Sequence, residues 1–459
     1  MIWAYRNLYV LVERLRCWSV LSNLRQLERM EYWTADRIEA WQLERLQRLA
    51  QHAYRNVPLY RSLWDKAGVD PRDIRCLGDL SGYPVVTKKH LIEAGGCALD
   101  QTMPRKSFIQ SRSSGSTGEP LVYYENKDHY SWFVASGLHG WTWTGWRPGD
   151  PWMRLQFRGP LSWRARLEDR LFNCLYMPID QLDDRFLRRF LQRAIRFDQV
   201  LVRGYAGATY VLAQFLLRNP QFRLRPKAVA CTGDTLYPHY REAIEEAFQA
   251  PVFDSYGGEG MCVASQCRQG YYHILPPVLV EVEPEVSSKN REQPGRLILT
   301  SLTNYAMPLI RYDLADTGVL GTGTCPCGRS WRFLKQIVGR DTDIIVTALG
   351  RHLVCHHFNN ILRKIETIRQ FQVVQSDSTA VTLKLVTTAG YDQSASEARI
   401  TEGLCRIGGD GLRVVFEYVP SIPVPPSGKR RYIISTVSGV CFQRETRKEG
   451  GPDDPRCGA

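Results

Sequence analysis

Between residues 227 and 260 the chain alternates strand-length and helix-length patterns. The buried-looking run "KAVACTG" (227–233) ends in glycine, "LYPHYREAIEEAF" (236–248) follows with helical spacing, and "PVFDSYGGEG" (251–260) returns to a strand and a turn. Short apolar runs separated by helical segments continue from about residue 107, through "GRLILTSL" (295–302) and "PLIRYDLADTG" (308–318). A chain written this way folds as helices packed on a sheet. We therefore expect an α/β fold: a large N-terminal α/β domain with mixed sheets flanked by helices, plus a small mobile C-terminal α+β domain.

With 459 residues there is room for about two to three domains. Residues 1–100 read as helical, most clearly in "ADRIEAWQLERLQRLAQHAY" (35–54). The character changes at "IVGRDTDIIVTALGRHL" (337–353), and a hinge is expected near 340. Beyond it, "FNNILRKIETI", "QFQVVQ", "AVTLKLVTT", "EARITEGLCRI" and "LRVVFEYV" spell an α+β unit of ordinary domain size. The expected boundaries are 1–340, 341–438 and a disordered polar tail at 439–459.

Charge and composition narrow the partners. A net charge of +13 suits anionic ligands, but the Lys and Arg residues are scattered. The Arg-rich stretch at 183–197 also carries apolar residues at helical spacing, so its arginines are expected on a solvated helix face. An anionic small molecule is favoured over nucleic acid. No stretch reaches the roughly 18 apolar residues of a membrane span. The N-terminus is interrupted by Arg6, Glu13, Arg14 and Arg16, so it reads as a packed or lipid-surface helix and not as a secretory signal. Thirteen cysteines, an odd number, fit a reducing compartment, and a cytoplasmic location is expected.

Six short motifs carry the chemistry. The first, "SSGSTGEP" (113–120), can wrap a phosphate with backbone N–H and hydroxyl donors, or can be a plain turn. It is followed by "TGD" (232–234), "YGGEG" (256–260), "RYDLADTG" (311–318), "VGRDTD" (338–343) and "PPSGKRR" (425–431). In this order and spacing they resemble the adenylate-forming acid ligases, over about residues 35–436. Within these the chain looks most like the phenylacetate–coenzyme A ligase branch and its capsular-polysaccharide-biosynthesis relatives.

The resemblance implies a set of roles. Ser113, Ser114, Gly115, Ser116, Thr117 and Gly118 would grip phosphate, although Glu119 stands where many relatives carry Lys. Asp234, Tyr256 and Gly257 would join the nucleotide site, Glu259 would help hold Mg²⁺, and Asp316 would accept from the ribose hydroxyls. Arg340 would contact the nucleotide just before the hinge, and Thr342 replaces a frequent hinge Asp. Lys429 would reach the carboxylate and α-phosphate during adenylation. The "YGGE" motif is one residue shorter than the family's usual form.

Cys267, His273, Cys325 and Cys327 supply a Cys₃His donor set, which in this branch implies a structural Zn²⁺. Trp141, Trp143, Trp146 and Tyr205 are candidate acid-pocket walls, with Gly257 beside them. His352, His356 and His357, near Cys355, read as surface helix residues. The expected activity is ATP-dependent conversion of an organic acid to an acyl-adenylate, followed by transfer to coenzyme A. An amine or hydroxyl acceptor in polysaccharide or secondary-metabolite biosynthesis is an alternative, as is a catalytically reduced nucleotide-binding relative. A homodimer is left open as the assembly.

Overall fold

The computed structural model describes residues 10–11, 13, 18–113, 121–156, 162–179, 182–194, 200–284, 295–338, 345–353, 355–362, 364–365, 367–422 and 432–437. Helices α1 (Val20–Met30), α2 (Ala35–Asn56), α3 (Pro58–Ala67) and α4 (Lys88–Ala94) come first. The hairpin β1 (Ile109–Arg112) and β2 (Val122–Glu125) then leads into α5 (Lys127–Thr142). Next are β3 (Trp152–Gln156), α6 (Trp163–Leu171), β4 (Cys174–Pro178), α7 (Asp184–Ala194), β5 (Leu201–Tyr205), α8 (Ala206–Arg218), β6 (Ala228–Thr232), α9 (Pro238–Phe248) and β7 (Val252–Gly258). A meander completes this part of the chain: β8 (Met261–Gln266), β9 (Tyr272–Ile274), β10 (Val278–Pro284), β11 (Gly295–Ser301), β12 (Tyr312–Leu320) and β13 (Phe333–Val338).

These last strands and β3–β7 form one mixed sheet of eleven described strands, ordered β10-β11-β12-β13-β9-β8-β7-β6-β5-β3-β4. Strands β4, β3, β5, β6 and β7 run parallel, and from β8 onward the pairing is antiparallel. Strand β6, in the middle of the parallel strands, is apolar on both faces because helices cover both. In β6, Ala228 and Ala230 face a core shared with Trp132 of α5 and Leu24 of α1. Val229 and Cys231, pointing the other way, pack with Leu212 of α8 and Ile244 of α9.

The N-terminal helices cover the antiparallel part. Leu46, Leu49 and Ala53 of α2 and Tyr60 and Trp64 of α3 pack on Val263, Leu299 and Leu309. Tyr60 is buried with both of its bonding roles met: its hydroxyl donates to the Pro308 carbonyl (2.8 Å) and accepts from the Ile310 N–H (2.9 Å).

The chain ends in a separate four-stranded sheet, ordered β18 (Arg413–Tyr418), β17 (Ala380–Thr387), β16 (Ile368–Asp377) and β19 (Ile433–Ser435). It is preceded by the small hairpin β14 (Ile345–Val346) and β15 (His352–Leu353). Helices α10 (Cys355–Leu362) and α11 (Gln393–Gly408) pack on it through Ile361 and Leu404, over Val373 and Leu383. The sequence reading of α10 needs one correction. His357 is not a surface residue but is 1% exposed, and its Nε2 meets the carbonyl of Ile179, just past β4. Helical spacing alone did not reveal that this face meets the larger sheet. The arginines of α7, by contrast, are solvated as expected: Arg185, Arg188 and Arg189 are exposed.

Arg311 joins the helical segment to the sheet. It is 4% exposed, holds a left-handed backbone (φ 50°), and pairs with Glu281 and Glu283 of β10. Its guanidinium also donates to the carbonyls of Ser81 (2.9 Å) and Tyr83, while its own carbonyl accepts from the Val86 N–H (2.9 Å). Removing one member of such a pair strands the other charges. Arg311→Ala is therefore expected to lose about 2–3 kcal/mol of stability, less than a fully buried pair would, because both glutamates keep some water contact. Urea denaturation checks this; an unchanged midpoint contradicts it.

Candidate active site

One cavity of about 770 Å³ opens at the C-terminal ends of β3, β5, β6 and β7, beside the change from parallel to antiparallel pairing. Ligands of open α/β sheets settle outside those strand ends. Ser113, Trp141, Asp234, Tyr256, Gly257, Glu259 and Asp316 all line it, although they are spread over some two hundred residues of sequence.

The turn between β7 and β8 organises the cavity. Register shifts between Tyr256 and Gly257, a bulge that re-aims the backbone beyond it. A Cβ on Gly257 would lie 2.2 Å from the Met261 carbonyl oxygen, so only glycine fits. Glu259 and Gly260 both adopt positive φ (43° and 76°), and both line the cavity. A Cβ on Gly260 would come within 2.8 Å of Glu125 Oε1 and 2.9 Å of the Tyr123 ring. The β1–β2 hairpin is thus seated directly on the turn that carries Glu259.

That seat is buried and polar. The Ser111 hydroxyl donates to Glu125 Oε2 (2.6 Å), and burial pushes the Glu125 carboxyl above its ordinary range. Nearby His129 has its Nδ1 at 2.7 Å from the Thr303 hydroxyl, and burial pulls it down to about 4, so it is neutral at pH 7. Ser113 sits at the hairpin's open end. Its N–H donates to the Leu121 carbonyl (2.9 Å), and its hydroxyl accepts from the Leu121 N–H (3.0 Å). This side chain closes the base of the loop, and accepting that bond leaves its O–H available to donate into the cavity that Ser113 lines. Ser114, Gly115, Ser116, Thr117, Gly118 and Glu119 lie outside the described residues, as do Arg340, Thr342 and Lys429.

Other carboxylates face the same space. The Tyr256 hydroxyl donates to Asp316 Oδ2 (3.0 Å), across the sheet from the Glu259 turn. Asp234 Oδ2 accepts from the Gly207 N–H (3.3 Å) in the first turn of α8, which gives it a helix-capping role. Asp254, not singled out in the sequence, lines the cavity and accepts from the Tyr272 hydroxyl (2.7 Å).

Aromatic residues divide between the cavity and the cores. Trp141 forms part of the α5 wall, whereas Tyr205 packs with the core on the other side of the sheet and is not among the lining residues. Trp146 is a core residue whose indole donates to the Asp150 carbonyl (3.1 Å). Trp143 belongs with the Cys/His cluster: its indole N–H donates to Glu31 (2.7 Å) and its ring lies 5.7 Å from that of His273.

Cys267, His273, Cys325 and Cys327 converge, with their ligand atoms all within 4.8 Å of one another. Two of the edges are Cys267 Sγ to Cys325 Sγ at 3.7 Å and Cys327 Sγ to His273 Nε2 at 3.2 Å. A tetrahedral Zn²⁺ sets such edges near about 3.8 Å for S···S and about 3.6 Å for S···N. Burial, followed by the Arg329 charge, holds His273 at about 4, the neutral form a ligand needs. Burial works against ionisation of Cys327, but hydrogen bonds from Arg329 outweigh it and lower its pKa. The donor set therefore fits the ion. Glu31, at the end of α1, braces it from outside: its carboxylate contacts His139 (2.7 Å), Trp143 and Arg329 (3.1 Å).

Ser111, Tyr123, Glu125, Asp254, Arg154 and Arg203 escaped the sequence reading. Alternation in β1, β3 and β5 marks which of them share a face, but not which strands lie side by side.

Residues 345–436 match the family model for the CapK C-terminal domain. Phenylacetate-coenzyme A ligase of Thermus thermophilus is 28% identical over 339 residues, 69% of this chain and 73% of that protein. Protein CapK of Staphylococcus aureus is 22% identical over 412 residues, 86% and 89% of the two chains. A crystal structure of 2-hydroxyisobutyryl-CoA ligase, in complex with 2-HIB-AMP and CoA, shares the fold with a TM-score of 0.61 at 19% identity, over 89% of this chain and 92% of that one. The chain is thus similar over most of its length to the phenylacetate–coenzyme A ligases and to CapK, and it shares the fold of an acid–CoA ligase.

Proposed function

We propose that the protein is an acid–thiol ligase that works through an acyl-adenylate. An oxygen of the acid attacks the α-phosphorus of ATP and pyrophosphate leaves; the sulfur of coenzyme A then attacks the acyl carbon and AMP leaves. The observation that carries this reading is the convergence of Tyr256, Glu259 and Asp316 on one cavity at the strand ends. In this scheme Asp316, held by the Tyr256 hydroxyl, accepts from the ribose, and Glu259 supplies a hard oxygen for Mg²⁺, which would offset phosphate charge. Ser113–Gly118 grip phosphate, and Asp234 shapes the nucleotide wall by fixing the start of α8.

Lys429 stabilises the transferring α-phosphoryl region, and Arg340 contacts the nucleotide. Supporting both is the fact that Ile337, three residues before Arg340, and Tyr432, three residues after Lys429, line the same cavity. Rotation of the unit beyond 340 would then exchange Lys429 for the acceptor. A second reading puts an amine or hydroxyl in place of the thiol. A cytoplasmic setting supplies ATP, coenzyme A and reduced cysteines. Among the described residues no helix is long and apolar enough to cross a membrane.

Acid-dependent ATP–pyrophosphate exchange across an acid library tests the first step. Lys429→Ala and Asp316→Ala are each expected to lower kcat/KM by at least about a hundredfold, the scale of one transition-state contact. Full activity in either variant removes that residue's role, and ATP binding without exchange for any acid favours the catalytically reduced relative. Mass analysis of products with and without coenzyme A identifies the acceptor.

The Cys₃His cluster is assigned a structural Zn²⁺ that ties the loop after β8 to the loop before β13. Elemental analysis should find one zinc per chain. Cys325→Ser should lower both zinc content and thermal stability, and a zinc-free, equally stable wild type would exclude the assignment.

Asp254 predicts a pH effect. Burial outweighs the Tyr272 and Ser255 hydrogen bonds and raises it to about 7, whereas the unfolded chain titrates near about 4. The native state binds the extra proton between those values, so stability falls as pH rises through that window. Asp254→Asn should gain on wild type by about 2 kcal/mol between pH 4 and pH 7, a figure discounted for the carboxyl's opening to the cavity. Thermal melts of the two proteins across that range check this; a constant difference contradicts it.

A further inference from the structure

Two arginines on the floor of the cavity have no part in the scheme above. Arg154 on β3 and Arg203 on β5 are direct register partners in parallel strands, so their side chains leave the same face side by side. Both line the cavity next to Trp141 of α5, away from the Glu259 turn. Arg154 is paired with Asp169, and its guanidinium lies 5.4 Å from the Trp152 ring centroid and 5.6 Å from that of Tyr176. Its Nε is buried without a partner.

Arg203 is different. Its guanidinium sits 5.4 Å from the centroid of the Trp141 ring, and among the described residues it pairs with no carboxylate. Among the ionisable groups that act on its charge are Tyr205, Arg154, Cys262 and Cys174, none of them a carboxylate, and burial pushes the Cys262 thiol up to about 12. Of the two adjacent guanidinium groups only that of Arg154 has a carboxylate beside it, so Arg203 brings a positive charge without a paired carboxylate to this wall of the cavity. A desolvated charge without a counter-charge is costly, and a guanidinium cannot escape by losing its proton. Its planar fork matches a carboxylate, sulfonate or phosphate.

We propose that the acid activated here is dianionic: while one carboxylate is adenylated at the Glu259 side, a second anionic substituent docks on Arg203, with Arg154 beside it. This rests on the acid-activating reading above and adds the substrate class. Arg203 is then the residue that sets specificity, and Trp141 covers the guanidinium face the ligand does not use.

Acid binding by the full chain without ATP tests the proposal independently of turnover. Titration calorimetry would compare phenylacetate with its 3- and 4-carboxy derivatives, and hexanoate with adipate. In wild type the dianionic member of at least one pair should bind tenfold or more tighter. Arg203→Met should abolish that preference, and Arg203→Lys should keep part of it. Equal affinities in wild type overturn the proposal, as does a preference that survives in a folded Arg203→Met. If that variant does not fold, Arg203→Lys decides, since a full preference in it also counts against the guanidinium.

Pyrophosphate exchange with the same acids separates the two levels. Preferential dianion binding without exchange supports the anion pocket and overturns the ligase reading. Exchange with mono- and dianionic acids at equal kcat/KM overturns the anion pocket and leaves the ligase reading standing.

Discussion

The β7–β8 turn is the constraint on which the cavity depends. Gly257 admits no side chain against the Met261 carbonyl, and Gly260 admits none against Glu125 and Tyr123. These two close approaches bend the chain where the sheet changes from parallel to antiparallel, and they leave Glu259 in a left-handed conformation at the cavity's edge. Backbone strain of this kind persists only where surrounding packing enforces it. Here the enforcement comes from the β1–β2 hairpin, whose Tyr123 and Glu125 lie against Gly260, the residue after Glu259.

A second bracing system supports the opposite end of that meander. The β8–β9 loop and the loop before β13 meet at the Cys/His cluster, and α1 is bolted to the same place. Glu31 gathers His139, Trp143 and Arg329, while the Trp331 indole donates to the Met30 carbonyl (2.9 Å) and the Ser330 hydroxyl to the Trp33 carbonyl (2.6 Å). His139 and Trp143 lie on or next to α5, whose preceding turns wall the cavity. One helix therefore joins the cluster to the Trp141 side of the cavity.

The elements were largely legible in the sequence because their signals are local. Alternation in "AVTLKLVTT" and the unbroken apolar run of β6 each identify a strand without reference to any other segment. The Cys₃His set was legible through its donor types taken together with the family resemblance, since the tight Cys-x-Cys spacing alone is only moderately specific. What stayed hidden depends on strand order and on contacts between distant segments. The Arg154–Arg203 neighbourhood exists because β4 crosses outside β3, leaving β3 beside β5. The contact of Gly260 with Glu125 joins segments far apart in the chain, as does that of His357 with Ile179. Ser113 shows the limit in another way, since the sequence did not reveal that its hydroxyl also accepts from the Leu121 N–H and so closes the base of its own loop.

The cavity draws its two sides from separate blocks of the chain. The wall with Trp141, Arg154 and Arg203 comes from α5, β3 and β5, and the wall with Tyr256, Glu259 and Asp316 from β7, the turn beyond it and β12. No secondary-structure element contributes to both sets. Substitutions confined to the first block can reshape what the pocket accepts while the second keeps its bulge, its glycines and its hydrogen bonds. A scaffold partitioned in this way can diversify its repertoire of acids by drift within three short segments, and the same three segments are where a focused mutant library would be built.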